Sequence, residues 1–494
     1  VPPSGDGALL PSALVEQICF LLYIVLNLFE EFSIRVLGRY TLKYLTPNII
    51  ATVTGGKYVG DNRARSVRIS GASRDNRDIN PGNLFLCIKG ARVDGHSFAN
   101  SAFESGAACC LAEQIIPDAK GPYVLVDSTL ESIRQIGAYY RSLFDIPFIG
   151  LTGSVGKTTA KELVAAALSA KFCVLKTHEN LNNELGVPLT LLSLDEHHEA
   201  AVIEMGISDF GDMSILAEMV RPDIFIMTKI GYAHLKELGD LNGVLKAKTE
   251  AFAYMKPDSV AIMNGDDDLL RTFDTQRKTI TFGLGAHNDF RAVNIHTDGT
   301  DCVDFDIQSA EGSFSVRIPS YGSHLAALAP AAAAVGKLLG LEDSEIRRGL
   351  MSYAPVGGRA NATFTGSITL IDDCYNANPN SVKAALTSLG ALNGRRVAIL
   401  GDMLNLGAES DALHREIGVF AAACHIDYVL CCGDEAKFIY DGFQSAGVGE
   451  ALYFSAKADM VAAFPELIKK GDAVLVKASN GMKFAEFLPV LRNL

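Results

Sequence analysis

No apolar stretch of this chain reaches the ~20 residues that a membrane-spanning helix needs. The most apolar run, Ile18 to Leu26, continues through Asn27 to Phe29 and then meets Glu30 and Glu31. It has no basic segment ahead of it and no small-residue cleavage site, so a signal peptide is not expected. The ten cysteines include no CxxC and no metal-ligand spacing. Two adjacent pairs, Cys109-Cys110 and Cys431-Cys432, match no secreted disulfide framework, so reduced and mostly buried thiols of a cytosolic protein are expected. Positive charge is not in excess either. A net charge of −13 gives no support for nucleic-acid binding, and an anionic substrate would have to meet locally clustered Lys and Arg. There is no internal repeat and no low-complexity segment.

What is present reads as a folded α/β protein. At 494 residues, nearly half of them apolar and 45 of them glycine, about three domains are expected. Residues 1–48 stand apart. Val1 to Pro11 is rich in Pro and Gly, and Arg35, Arg39 and Lys43 form a basic stripe at helical spacing. A helix packed on the body or on another subunit is the preferred reading, and an interfacial membrane helix is the alternative. Val1 stands where a start methionine would, so a true start within this stretch is a further expectation.

The chain is organised around Phe148 to Thr159. Ile146 to Leu151 reads as a buried strand. Thr152-Gly153-Ser154-Val155-Gly156-Lys157-Thr158-Thr159 follows, and then a good helix former, Lys161 to Leu168. Strand, glycine turn and helix bring consecutive backbone N–H groups and a helix N-terminus to one anion. Lys157 can reach outer phosphates, and the Thr158 hydroxyl is placed to ligate Mg²⁺. The strict phosphate-loop pattern asks for glycine at 151, where leucine stands. An ordinary glycine turn is the bland alternative, but Lys-Thr at the required offset and the flanking periods favour a nucleotide-phosphate site.

Residues 49–145 read as a smaller N-terminal α/β unit of turns and short strands. Within it, Asp75-Asn76-Arg77 and His96 are taken singly as turn residues. Residues 146–355 carry further apolar strands separated by helical stretches, which predicts a doubly wound parallel sheet. Glu204, His234 and Asn264 fall at or just beyond strand ends, on the rim where such sheets bind ligands. Each alone reads as a cap or turn residue; together with Lys157 they form a candidate metal and nucleotide site. Residues 356–494 contain a second, Rossmann-like sheet, with polar residues at strand ends such as Asp372-Asp373 and Lys477.

From about residue 49 onward the sequence resembles the Mur ligases, and among them the MurF type. The carriers are the Thr152–Thr159 loop, Asn180 to Pro188, Glu204-Met205-Gly206, Ile230 to Leu235, Lys246 to Glu250 and Asp372-Asp373-Cys374-Tyr375-Asn376-Ala377-Asn378-Pro379. The last is the most discriminating, because sister ligases differ after the paired aspartates. The resemblance implies a UDP-sugar domain, a central ATPase domain and a C-terminal domain for the incoming amine. Its implied activity is ATP-dependent joining of D-alanyl-D-alanine to UDP-N-acetylmuramoyl-tripeptide through an acyl phosphate, in cytoplasmic peptidoglycan precursor synthesis, by a monomer. It further implies Thr158, Glu204, His234 and a carbamylated Lys248 around Mg²⁺, with Lys157, Glu204, His234 and Lys248 catalytic. Asn264, Asp267, Arg359 and Asp373 would join the loop in binding ATP. Arg77, Asn182, Asn183, Tyr375, Asn376 and Asn378 would face the other substrates. Cys374, Asp209, Tyr232, Ala478 and Asn480 depart from the residues common at those positions.

Two other readings remain open at this point. One is a sister ligase adding a free amino acid, against which Tyr375 to Pro379 argues. The other is a nucleotide-gated binding protein without turnover, against which the intact set Lys157, Glu204, His234 and Lys248 argues.

Overall fold

The structure, a computed structural model, describes residues 45–90 and 93–494. The apolar run at Ile18–Phe29 and the basic stripe at Arg35, Arg39 and Lys43 lie outside the described residues. Among the described residues no helix is long and apolar enough to cross a membrane. The chain forms two compact units, one built on Lys57–Leu125 and the other on Val126–Leu494.

In the first unit five short strands make one sheet: β1 (Lys57–Val59), β2 (Gly71–Ser73), β3 (Asn83–Leu86), β4 (Cys109–Ala112) and β5 (Tyr123–Leu125). Their order is β1-β5-β4-β3-β2, with β1 antiparallel to β5 and the rest parallel. β3 and β4 are buried along their whole length, which is why they read as continuous apolar runs rather than alternating ones. Leu45 is fully buried, and its carbonyl accepts from Ile69 N at 3.0 Å. The packed chain therefore includes at least four residues ahead of the boundary expected at 49.

The second unit opens with the helix Thr129–Arg141. Tyr140 Oη donates to Leu194 O at 3.0 Å and Arg141 Nε to Val220 O at 2.8 Å. Residues 126–145 thus go with the sheet that follows them, unlike the division expected at 146. That sheet has nine strands: β6 (Phe148–Thr152), β7 (Val174–Lys176), β8 (Ala200–Glu204), β9 (Ile224–Met227), β10 (Val260–Asn264), β11 (Lys278–Gly283), β12 (Phe290–Asp298), β13 (Cys302–Ser309) and β14 (Gly312–Ile318). Their order is β14-β13-β12-β11-β10-β9-β6-β8-β7. Pairing is parallel from β7 across to β12, as the alternating pattern predicts, and antiparallel from β12 to β14. The turns at 299–301 and 310–311 are too short for the crossover that parallel neighbours require. Helices Lys157–Leu168 and His324–Leu338 pack on this sheet in one continuous core.

A third sheet lies in the same unit: β15 (Asn361–Phe364), β16 (Thr369–Asp372), β17 (Arg396–Gly401), β18 (Tyr428–Cys432), β19 (Glu450–Phe454) and β20 (Ala473–Lys477). The order is β15-β16-β20-β17-β18-β19, all parallel except the β15–β16 pair. Alternate residues feed two cores. Ala398, Leu400, Val429 and Cys431 face one, while Val397, Ile399, Leu430 and Cys432 face the other. The two adjacent cysteines of β18 therefore point to opposite faces of a buried sheet. All nine described cysteines are free thiols, six of them buried.

Candidate active site

The carboxyl rim of the nine-stranded sheet gathers the chemistry. β6 is buried along all five residues, and Leu151 is inside it. The loop is consequently shorter than the strict pattern, with Gly153–Gly156 alone joining strand to helix. Gly153, at φ 152°, could not carry a side chain, since a Cβ would stand 2.0 Å from Thr228 Oγ1. That hydroxyl instead donates to Val155 O at 2.6 Å and Thr152 O at 3.3 Å. Ser154 N donates to Lys229 O at 2.8 Å, and Ser154 Oγ both donates to Gly231 O and accepts from Gly231 N at 3.0 Å. Thr152 Oγ1 donates to Met205 O at 2.7 Å. The loop is thus braced by the segments after β8 and β9. The helix that starts at Lys157 has Gly156 at φ 82° before it and no side-chain cap, so its first N–H groups face the loop's cradle. Thr159 lies in that first turn.

Charge is concentrated beside the cradle. Among the described residues Lys157 Nζ donates only to Gly153 O, at 2.8 Å. Burial pushes its pKa down, Arg359 adds to that, and Glu204 opposes it. Glu204, 1 % exposed, ends β8 and accepts from Thr158 Oγ1 on Oε2 and from Asn182 Nδ2 on Oε1, both at 2.8 Å. Lys248 lies in the last turn of the helix Leu241–Thr249 and is 3 % exposed, without a hydrogen bond or ion pair among the described residues. Burial drives its pKa well below the ordinary lysine range, and Lys157 lowers it further. His234 precedes the short helix Leu235–Leu238 at φ 55°. Burial, then Lys248 and Lys157, push its ring below the usual imidazole range. Lys157, Glu204, His234 and Lys248 are thereby electrostatically coupled, with one carboxylate among groups that can carry positive charge.

A hard cation fits this donor set. One hydroxyl and one carboxylate, both oxygen donors, sit beside a phosphate cradle. Among the described residues no group of three or more His, Cys, Asp or Glu could hold a metal ion. Magnesium is commonly held in this way, by one or two protein oxygens with substrate phosphates and water completing the shell.

The other residues singled out from the sequence are placed as follows. Asn264 Nδ2 donates to Thr228 O at 2.6 Å and its Oδ1 accepts from Asp266 N. Asp267 caps the helix Asp268–Thr272 and accepts from Ile230 N at 2.9 Å. Both hold rim loops with the side-chain groups that were expected near a nucleotide. Arg359 stacks on the Tyr375 ring, 3.9 Å from its centroid. Asp373 accepts from Ala360 N and from Lys477 Nζ, the latter at 2.7 Å, and Lys477 also donates to Asn376 O at 3.1 Å. Asn378 caps the helix Pro379–Gly390 and donates to Ser154 O at 3.3 Å, so the loop after β16 meets the phosphate loop. Asn183 Oδ1 accepts from Gly186 N at 2.8 Å. Arg77 belongs to the first unit, where it pairs with Asp75 (Nε–Oδ1 2.9 Å) and holds that carboxyl well below the usual range. His96 is a turn residue there, bonded to Asp94 Oδ1 and accepting from Glu113 N. Thr228 was not singled out and Lys477 was given no role; the sequence signal of each is a polar residue at the end of an apolar strand.

Comparison with known proteins adds the following. Residues 151–336 match the Mur ligase middle domain, 358–480 the Mur ligase glutamate ligase domain, and 68–139 the catalytic domain of the Mur ligase family. The chain is 36% identical over 457 residues to the UDP-N-acetylmuramoyl-tripeptide--D-alanyl-D-alanine ligase of Bacillus subtilis (strain 168), covering 91% of this chain and 98% of that one. It is similar to a crystal structure of MurF from Acinetobacter baumannii, with a TM-score of 0.84 and 30% identity over 92% of this chain and 100% of the other. It is also similar to the MurF ligase from Thermotoga maritima in complex with ADP, with a TM-score of 0.76 and 27% identity over 86% and 97%.

Proposed function

Because the chain belongs to the Mur ligase family, we propose that it joins the amine of D-alanyl-D-alanine to the terminal carboxylate of UDP-N-acetylmuramoyl-tripeptide, converting ATP to ADP and phosphate. The observation that carries this reading is the cluster of Lys157, Thr158, Glu204 and Lys248 at the mouth of a phosphate cradle. In our reading the work is divided among a UDP-sugar region that ends at residue 125, an ATP region in 126–355 and an amine region in 356–494. It is carried out by a monomer in the cytoplasm.

Amide formation from a carboxylate and an amine is uphill in water, so the carboxylate must be activated. A carboxylate oxygen attacks the γ-phosphorus, ADP leaves, and an acyl phosphate results. The amine then attacks the acyl carbon, loses a proton, and inorganic phosphate departs with both electrons of the C–O bond. Two anions meet in the first step, and Lys157 with the helix N-terminus counters their repulsion. Thr158 and Glu204, with His234 and a modified Lys248, would hold Mg²⁺, which supplies further positive charge against the phosphate oxygens.

Burial explains why Lys248 is suited to modification. A neutral amine, favoured by its lowered pKa, attacks CO₂ and releases one proton to leave a carbamate with two oxygens. That exchange replaces an amine, which as an ammonium would repel the metal, with a ligand of the kind magnesium prefers.

Phosphate release with UDP-N-acetylmuramoyl-tripeptide and a panel of amines tests the reading. D-Alanyl-D-alanine is expected to be preferred, with free glutamate and lysine poor. A single amino acid outperforming the dipeptide would make this a sister ligase. Nucleotide binding without release under any pairing would make it a binding protein.

A further inference from the structure

We propose that Lys161 is a positioning residue for the acceptor side of the reaction, acting on Asn182 from beneath the phosphate-loop helix. This rests on the ligase reading above. Lys161 lies one turn beyond Lys157 in the helix Lys157–Leu168 and is fully buried, at 0 % exposure. Lysine is almost never buried completely unless its charge is partnered. Here the ammonium donates to two backbone carbonyls and has one carboxylate beside it. Thr177 O accepts at 2.7 Å and Glu179 O at 3.2 Å, and Glu162 Oε1 pairs the charge at 3.0 Å. Glu162 spends its other oxygen on Lys176.

Both carbonyls belong to a segment that has no regular structure of its own. Glu179 sits at φ 46°, a left-handed conformation uncommon without glycine. The chain then doubles back through Leu181 N to His178 O and Asn182 N to Asn180 O. It arrives with Asn182 O accepting from Gly206 N at 2.8 Å and Asn182 Nδ2 on Glu204 Oε1. Gly206 has no room for a Cβ, which would stand 2.8 Å from Asn182 Cγ. At the other end of the segment, Thr177 Oγ1 accepts from Glu204 N at 2.9 Å.

One helix therefore orients the Glu204 carboxylate twice. Thr158 holds one oxygen directly. Lys161 holds the other through the segment and Asn182. Removing the Lys161 ammonium frees that segment, and with it Asn182 and Asn183, while leaving the loop that cradles phosphate in place. A displacement of about 1 Å on the acceptor side is enough to slow transfer ~100-fold.

The test is a double-mutant cycle of Lys161→Met and Asn182→Ala, read by steady-state kinetics and by amide exchange at Leu181 and Asn182. Lys161→Met is expected to lower kcat/KM for UDP-N-acetylmuramoyl-tripeptide ~100-fold, keep the ATP KM within about twofold, and speed exchange at both amides. Asn182→Ala should lose a similar factor, and the double variant little more than the worse single one. Losses that multiply, a matched rise in both KM values, or unchanged exchange would overturn the proposal. If Lys161→Met does not fold, Lys161→Gln, which keeps a donor for Thr177 O, takes its place. Failure of both to fold would make Lys161 a core residue and end the proposal. Should the wild-type protein not ligate, the ligase reading falls, and the exchange experiment still decides whether Lys161 pins the segment.

Discussion

Two carboxyl rims in the second unit bury polar groups to a similar depth and use them differently. On the third sheet, Asp402 follows β17 and accepts from Glu435 N at 3.0 Å and Ala436 N at 2.8 Å. Nearby, His414 donates from Nδ1 to Ser410 O at 2.8 Å and accepts on Nε2 from Met403 N at 2.9 Å. Each of these groups is answered by the fold itself. On the nine-stranded sheet, among the described residues, Lys248 is buried with no partner and Lys157 has a single carbonyl. Buried polar groups in general mark a rim; buried ionisable groups that the protein leaves unanswered mark the place for a ligand.

The largest separation between the rims is expected from Lys157→Met. Phosphate release should fall ~10³-fold, because Lys157 counters charge that grows during transfer. The melting temperature should stay level or rise, since the folded state holds this cation at a desolvation cost. Near-normal turnover in a folded variant would remove the phosphate-loop assignment.

Lys248→Ala comes next, with a loss of ~10²-fold in turnover, comparable to losing one well-placed electrostatic group. Acetate or formate should restore part of it, as a small carboxylate can stand in for a carbamate. Restoration by small amines, or full activity without either, would make Lys248 a bare lysine after all.

The opposite pattern is expected on the other rim. Asp402→Ala leaves two buried N–H groups unanswered and should cost ~2 kcal/mol of stability. Turnover of the folded fraction should remain within about threefold. A large loss in kcat without a change in stability would erase the distinction between the rims.

The smallest effect concerns pH. Burial holds the His414 ring below its ordinary pKa of 6.5, against the opposing pull of Ser410 O, Asp402, Glu435 and Asp411. Below pH 6.5 the unfolded chain takes up a proton that the folded ring resists, so stability falls as pH drops through that window. His414→Gln keeps one donor and one acceptor and removes the titration. Its melting temperature should therefore fall less than that of wild type between pH 7 and pH 5. His324 is depressed by burial too, so the difference between the two proteins is the readout, and parallel curves would clear His414 of any role.

Much of this was legible in the chain because spacing encodes it. Strand, glycine turn and helix around Lys157 follow from periodicity, and Glu204 was found because it ends an apolar strand. Lys161 was passed over, since a lysine in mid-helix reads as solvated and only the fold brings Thr177 O and Glu179 O to it. The antiparallel extension after β12 was not separated from the parallel sheet, because apolar strands read alike until their turns are measured. Asn264 stood out by its place at a strand end and Asp267 only through the resemblance, and which backbone groups they hold depended on loops from other strands. The adjacent cysteines needed only the period of two to explain them.

The antiparallel wing from β12 to β14 has one more consequence. A nine-stranded sheet must stop somewhere, and a bare last strand invites another chain to pair with it. Here Arg317 on β14 lies directly across from Asp304 on β13, 2.7 Å away, and Asp306 is shared between Ser315 and Asn294. A charged, side-chain-laced border of this kind discourages edge-to-edge aggregation. The wing that adds nothing to the rim chemistry is what lets the sheet end in water.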